Sequence, residues 1–218
     1  AQATPHVAPP NWWAPHAAQT LGTLAATGAG VWIGAWLVSR REAGVREEKR
    51  AADALYLAIT VSGMLEQFSA ACLQVSFDDG RRLDDPFDDY PQSIQVEAPP
   101  LTYAGLDVEW KSLPGVILDQ VHSVPRKLAN LNEYAQRLGD HAGEDYYFSE
   151  RQRLFAQLGV HAATVSAELR ITVGLSPSID QAGDTLKQLI ERHSKLDALE
   201  AGRRAREEEL LSGLFKTS

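Results

Sequence analysis

A chain of 218 residues has room for one domain and a short additional segment, and its composition, 44 % hydrophobic and 23 % charged, argues against wholesale disorder. The net charge of −8 argues against non-specific binding to nucleic acid, because neutralising phosphates requires a basic surface. The single cysteine, Cys72, excludes an intramolecular disulfide and a zinc site built from cysteines alone.

The charged residues are confined to one part of the chain. No Lys, Arg, Asp or Glu precedes Arg40, and all 21 basic and 29 acidic residues follow Ser39. An amphipathic helix of a soluble protein carries charge on the side that faces water. A boundary between an uncharged and a charged part of the chain therefore indicates two different surroundings, a membrane and water. We therefore predict a Pro-rich extracytoplasmic tail at residues 1–19, a transmembrane helix at residues 20–39 and a cytoplasmic helical domain at residues 40–218. Ala1 is expected to follow a removed initiator methionine.

The uncharged stretch Thr20–Val38 is the predicted membrane segment. As a helix it would span about 28 Å, close to the thickness of the bilayer hydrocarbon. Arg40 and Arg41 follow it at once, which predicts an N-terminus outside the bacterial inner membrane and a C-terminal domain in the cytoplasm. Only six of its 19 residues are Leu, Ile or Val, so insertion should be marginal without a helical partner. The alternatives are a buried soluble helix and an export signal, although a signal carries its basic residues before the apolar run.

Small residues recur at every fourth position of this segment. The members of this stripe are Gly22, Ala26, Gly30 and Gly34. Residues spaced by four lie on one face of a helix, and small side chains there allow the backbones of two helices to approach closely. The stripe therefore predicts a homo-oligomer, against the alternative that Gly and Ala are simply common in membrane helices. The glycines lack the spacing and the preceding strand of a dinucleotide-binding loop.

The rest of the chain is predicted to be all-α, a helical bundle with one long Pro/Asp-rich loop at residues 78–114. The membrane helix is expected to continue to about Phe77, and within the loop only Ser93–Val96 fits a strand. Later helices are predicted at Leu113–Val121, Arg126–Leu138 and Glu144–Val173, with a last one after Pro177. Apolar spacing predicts these inward positions: Leu55, Ile59, Ser62, Leu65, Phe68 or Ser69, Cys72 and Val75; then Phe148, Leu154, Phe155, Leu158, Val165 and Leu169; then Ile179, Ala182, Leu186, Leu189, His193 and Leu196.

Few residues suggest chemistry. The six histidines are scattered without metal-ligand spacing, His161 and His193 fall on apolar helix faces, and Cys72 occupies a core position. We assign no catalytic residue, no metal ligand and no cofactor. The loop from Asp78 to Asp89 concentrates six carboxylates but lacks the alternating ligands of an EF-hand, so a solvated loop, a surface that docks a basic partner and a cation site stay open. The candidate docking residues are Asp84, Asp85, Asp88, Asp89 and Trp110.

Three segments carry a resemblance. They are the Asp78-Asp79-Gly80 loop, the box Leu106-Asp-Val-Glu-Trp-Lys-Ser-Leu-Pro114, and the stretch from Glu150 to Gly159 that leads into a helix ending near Arg170. In these segments the chain resembles a group of uncharacterised proteobacterial proteins with one N-terminal membrane helix, over roughly residues 50 to 175. The resemblance implies a membrane-anchored architecture and assigns no catalytic residue.

The sequence predicts a membrane-anchored interaction or assembly protein that is not an enzyme. Its expected partners are the lipid bilayer, a second copy of the chain and a cytoplasmic protein, with no nucleic acid. Two alternatives stay open: a membrane-tethered enzyme with a site near the acidic loop and Trp110, and an envelope protein derived from a phage or mobile element.

Overall fold

Four helices and one short 3-10 turn make up the regular structure in the computed structural model, which describes residues 14–81, 92–141, 143–177 and 180–216. The helices are α1 (Ala14–Val75), α2 (Gly115–His141), α3 (Glu144–Thr172) and α4 (Asp180–Lys216), and the turn is Trp110–Ser112. The predicted all-α class is confirmed. Two compact units are distinguished, residues 1–50 and 51–218, and the boundary between them falls within α1.

The core of the second unit is formed by α1, α2 and α3. Side chains from all three helices make one buried apolar cluster, which includes Leu57, Val61, Leu65, Val121, Val124, Leu128, Phe155, Leu158 and Leu169. Helix α4 packs on α3, where Leu189 is fully buried. At the C-terminal end of α1, Arg192 of α4 donates to the Ser76 carbonyl through Nε (2.9 Å) and Nη2 (2.7 Å). This contact supplies a donor to a carbonyl that the helix itself leaves unsatisfied.

Helix α3 was predicted almost to the residue. Gly143 precedes it in an extended conformation, and Glu144 and Asp145 in the first turn complement the positive end of the helix dipole. At the other end Gly174 has a φ of +79°, the left-handed conformation that commonly ends a helix. Five of the six inward positions predicted for α3 are buried, and Leu154 is half-buried.

The predicted inward face of α1 is wrong at its N-terminal part. Leu55 and Ile59 are 38 % and 52 % exposed, whereas Leu57, Ala58 and Val61 are fully buried. From Ser62 onward the predicted positions are correct, since Ser62, Leu65, Phe68, Ser69, Cys72 and Val75 are all buried. Between residues 55 and 61 the helix has apolar side chains on two faces, so spacing alone does not determine which face the bundle covers.

Helix α2 is one helix where the sequence predicts two. Pro125 lies inside it and has no backbone N–H, so the carbonyl of Val121 loses its helical donor. The hydroxyl of Tyr103, from the loop before α2, donates to that carbonyl at 3.2 Å. The loop therefore satisfies the group that the proline leaves without a partner, and the helix continues through it.

The predicted strand at Ser93–Val96 is absent, and this segment has no regular structure. The backbone N–H groups of Gln95 and Val96 both donate to the Asp78 carboxylate instead of to a neighbouring strand. A buried carboxylate thus replaces the neighbouring strand that would otherwise accept these bonds.

Helix α1 is long and apolar enough to cross a membrane, by length and composition alone. The stretch that meets this criterion lies within Val38–Val75, and 44 % of it is buried inside the fold, since it includes the core residues Leu57, Val61 and Leu65. The predicted span Thr20–Val38 lies largely on residues whose helix is described but whose side chains are not.

Candidate functional site

The first acidic residue of the predicted loop is buried. Asp78 and Arg151 form an ion pair with 2.9 Å between Oδ2 and Nη1, and their side chains are 0 % and 3 % exposed. The carboxylate also accepts from the backbone N–H of Gly80, Gln95 and Val96 at 2.9–3.1 Å. A carboxylate with four donors is well satisfied in a nonpolar surrounding, so Asp78 fixes the loop to α3 and is not a solvated or docking residue.

Position 80, two residues after Asp78, requires a glycine. Its φ is +76°, and a Cβ at this position would lie 2.4 Å from Cζ of the Phe148 ring on α3. Both the backbone conformation and the close approach exclude any other residue without local rearrangement. Both ends of the Asp-Asp-Gly segment therefore contact α3: Asp78 pairs with Arg151, and Gly80 packs against Phe148.

Trp110 packs within its own unit against two other rings. Its ring centroid lies 4.9 Å from that of His122 on α2 and 5.6 Å from that of Tyr103. Glu109 caps the 3-10 turn by accepting from the Lys111 N–H, and Leu113 next to the turn is buried. The Leu106–Pro114 box therefore covers α2, and the half-buried Trp110 ring is part of that contact.

The hydroxyl of Tyr103 should contribute measurably to stability. Burial raises the pKa of this phenol, so it stays protonated and remains a donor to the Val121 carbonyl at physiological pH. Replacing Tyr103 with phenylalanine should lower the free energy of unfolding by about 1 kcal/mol, because the carbonyl has no helical donor to replace it. Urea unfolding followed by circular dichroism measures this. Tyr56→Phe is the control: that side chain is 60 % exposed, and the change should have no effect. Equal effects of the two changes would contradict the role of Tyr103.

The structure gives no side-chain packing for the other predicted site residues. Asp84, Asp85, Asp88 and Asp89 lie in residues 82–91, which are not described. Gly22, Ala26, Gly30 and Gly34 lie in α1, but their packing is not described. Among the described residues, no three His, Cys, Asp or Glu side chains are placed to hold a metal ion.

A serine–histidine pair between α2 and α3 was not predicted. Ser123 Oγ lies 2.8 Å from Nε2 of His161, and it also lies 2.6 Å from the Gln120 carbonyl, which can only accept. A hydroxyl has one proton, so donation to that carbonyl makes Nε2–H of His161 the donor to Ser123. Burial, and secondarily the charge of Lys127, lowers the pKa of His161, which favours the neutral ring at pH 7.

This arrangement does not activate Ser123 as a nucleophile. General-base activation needs an unprotonated nitrogen facing the hydroxyl, whereas here the nitrogen carries the hydrogen. The two residues are 38 positions apart, and the only signal in the sequence was the position of His161 on an apolar helix face. That signal predicts a hydrogen-bonded histidine but does not identify its partner.

No protein-family model, no curated protein and no solved structure matches the chain. The resemblance to single-pass proteobacterial membrane proteins therefore stays a prediction.

Proposed function

We propose that the chain is a membrane-anchored helical interaction or assembly protein that is not an enzyme. Residues 20–39 cross the bacterial inner membrane, with the N-terminus outside and the helical domain in the cytoplasm. The chain self-associates through the stripe Gly22, Ala26, Gly30 and Gly34, and its helical domain binds a cytoplasmic protein. The confinement of all charges to residues after Ser39, with arginines first, supports this topology.

The observation that supports the proposal best is the exposure of α1. Every side chain from Val38 to Lys49 is exposed, including the large apolar Val38 and Val45. A helix in water gains most of its stability from packing an apolar face, and an exposed pair such as Arg46–Glu42 adds only about 0.3–0.5 kcal/mol. A second helix beside this stretch would supply the missing packing, which supports association of the chain through α1.

The second unit adds an apolar surface of its own. Leu55, Tyr56 and Ile59 are all more than a third exposed, and they lie on one side of α1 within little more than a turn. Clustered exposed apolar side chains are typical of interaction surfaces. They support a binding role for the helical domain.

Self-association of the membrane helix tests the proposal. In a membrane two-hybrid assay on residues 11–42, Gly30→Ile and Gly34→Ile should abolish the signal, because a branched side chain in the stripe prevents close backbone approach. Trp32→Leu should leave the signal largely intact, since position 32 is about 200° around the helix from Gly30 and from Gly34.

Two results would contradict this proposal. Equal signals from the glycine variants and the parent would exclude the stripe as an interface. A full-length chain that stays soluble without detergent would exclude the membrane anchor itself.

A pull-down from detergent extract separates assembly from catalysis: a stoichiometric protein partner supports assembly, and a co-purifying metabolite or metal supports the enzyme alternative.

A further inference from the structure

A groove runs between α2 and α3 within the second unit. Its volume is ≈ 570 Å³, within the range of about 300–1,000 Å³ that small-molecule sites occupy. Helix α2 contributes Lys127, Asn130 and Tyr134 to its walls, and α3 contributes Gln157, His161 and Thr164. Both helices are firmly packed in the core, so the groove is preformed.

The floor of the groove is apolar. Leu131 and Leu158 are nearly fully buried, Leu154 is half-buried, and all three line the groove. The Tyr134 ring stands beside them and is 38 % exposed. An apolar body placed here would remove both its own surface and this ring from water, which favours binding.

The wall of the groove carries a single formal charge. Among the described lining residues Lys127 is the only ionised side chain, and no carboxylate lines the groove although the chain has a net charge of −8. Burial, and secondarily the charge of Lys127, lowers the pKa of His161, while Glu168, which does not line the groove, acts in the opposite direction. Asn130 and Gln157 add amide groups that can orient a polar end.

The Ser123–His161 pair favours binding over catalysis in this groove. Ser123 is not among the lining residues, and its hydroxyl is committed to the Gln120 carbonyl. His161 is fixed by Ser123 as a neutral wall residue. The groove thus has a preformed shape and one positive charge, and Ser123 is not placed to act in it as a nucleophile.

We propose that this groove binds a small monocarboxylate with an aromatic or branched aliphatic body. The Lys127 ammonium group pairs with the carboxylate, and the body lies on Leu131, Leu154 and Leu158 against the Tyr134 ring. This site is independent of the membrane anchor, so its failure would leave the proposed function untouched.

Titration calorimetry on the full chain in detergent, against matched detergent buffer, tests the proposal with 1-naphthylacetate as the probe. We expect saturable binding of one equivalent. Lys127→Met should weaken it by about tenfold or more, since a charge-assisted hydrogen bond is lost. Lys187→Met is the matched control, because that exposed lysine lies on α4 outside the groove, and it should leave the affinity unchanged. The cation 1-naphthylmethylammonium, with the same ring, should bind at least about tenfold more weakly.

A variant that fills the groove separates site binding from partition into the micelle. Thr164 is exposed on α3 and lines the groove, so Thr164→Trp should abolish binding at an unchanged melting temperature. Gln157→Trp, at another exposed lining position, replaces it if that variant does not fold. No saturable heat, equal affinity for the anion and the cation, or unchanged binding in the filled variant would each overturn the proposal.

Discussion

Replacing Arg151 with methionine should lower the free energy of unfolding by about 3–5 kcal/mol. The change leaves the Asp78 carboxylate buried without its cation, at a side chain that is 0 % exposed. It also removes the guanidinium donor from the Val96 carbonyl, which accepts from Nη2 at 2.5 Å. Methionine retains much of the apolar length of arginine, so the loss reports the charge and its hydrogen bonds more than a cavity.

An exposed ion pair provides the matched control for this prediction. Arg126 and Asp119 lie 2.7 Å apart, with side chains 64 % and 75 % exposed, and such pairs contribute at most about 1 kcal/mol. Arg126→Met should therefore change stability little. Urea unfolding of the full chain in detergent, followed by circular dichroism, compares the two variants. Similar losses in both would show that Asp78 reaches water when Arg151 is gone.

The limits of sequence reasoning are clearest at this ion pair. The run from Asp78 to Asp89 contains six carboxylates that are alike by composition, and the sequence does not indicate that Asp78 is buried. Apart from Gly80, its partners come from residues 17 to 73 positions away. Local patterns detect spacing along one element, whereas this pair depends on where the loop crosses α3.

Local signals predicted α3 well because several of them agree. Gly143, the acidic first turn and Gly174 mark its two ends, and one apolar face runs between them. Helix α2 was wrongly predicted as two helices, because a proline such as Pro125 normally interrupts a helix. The compensating donor, the Tyr103 hydroxyl, lies 18 residues from the carbonyl it satisfies and is invisible to any local rule.

Gly159 is a core position where an added side chain should be strongly destabilising. This residue lies in α3, and a Cβ there would be 2.9 Å from Cβ of Cys72 on α1 and 2.8 Å from Cδ2 of Leu189 on α4. The leucine tip can rotate away, but the Cys72 Cβ is fixed to the backbone of α1. Relief therefore requires α1 and α3 to move apart within a close-packed core.

Gly159→Val should lower the free energy of unfolding by about 2–3 kcal/mol through overpacking. The control is Gly63→Val in α1, where nothing lies within 4 Å of an added Cβ. There valine should change stability by no more than about 0.5 kcal/mol, and in the stabilising direction, because valine has a better helix propensity than glycine. The same urea titration compares the two variants. A loss at residue 63 equal to that at residue 159 would show that the effect is not specific to the crowded position, and would contradict the close contact of α1, α3 and α4 at Gly159.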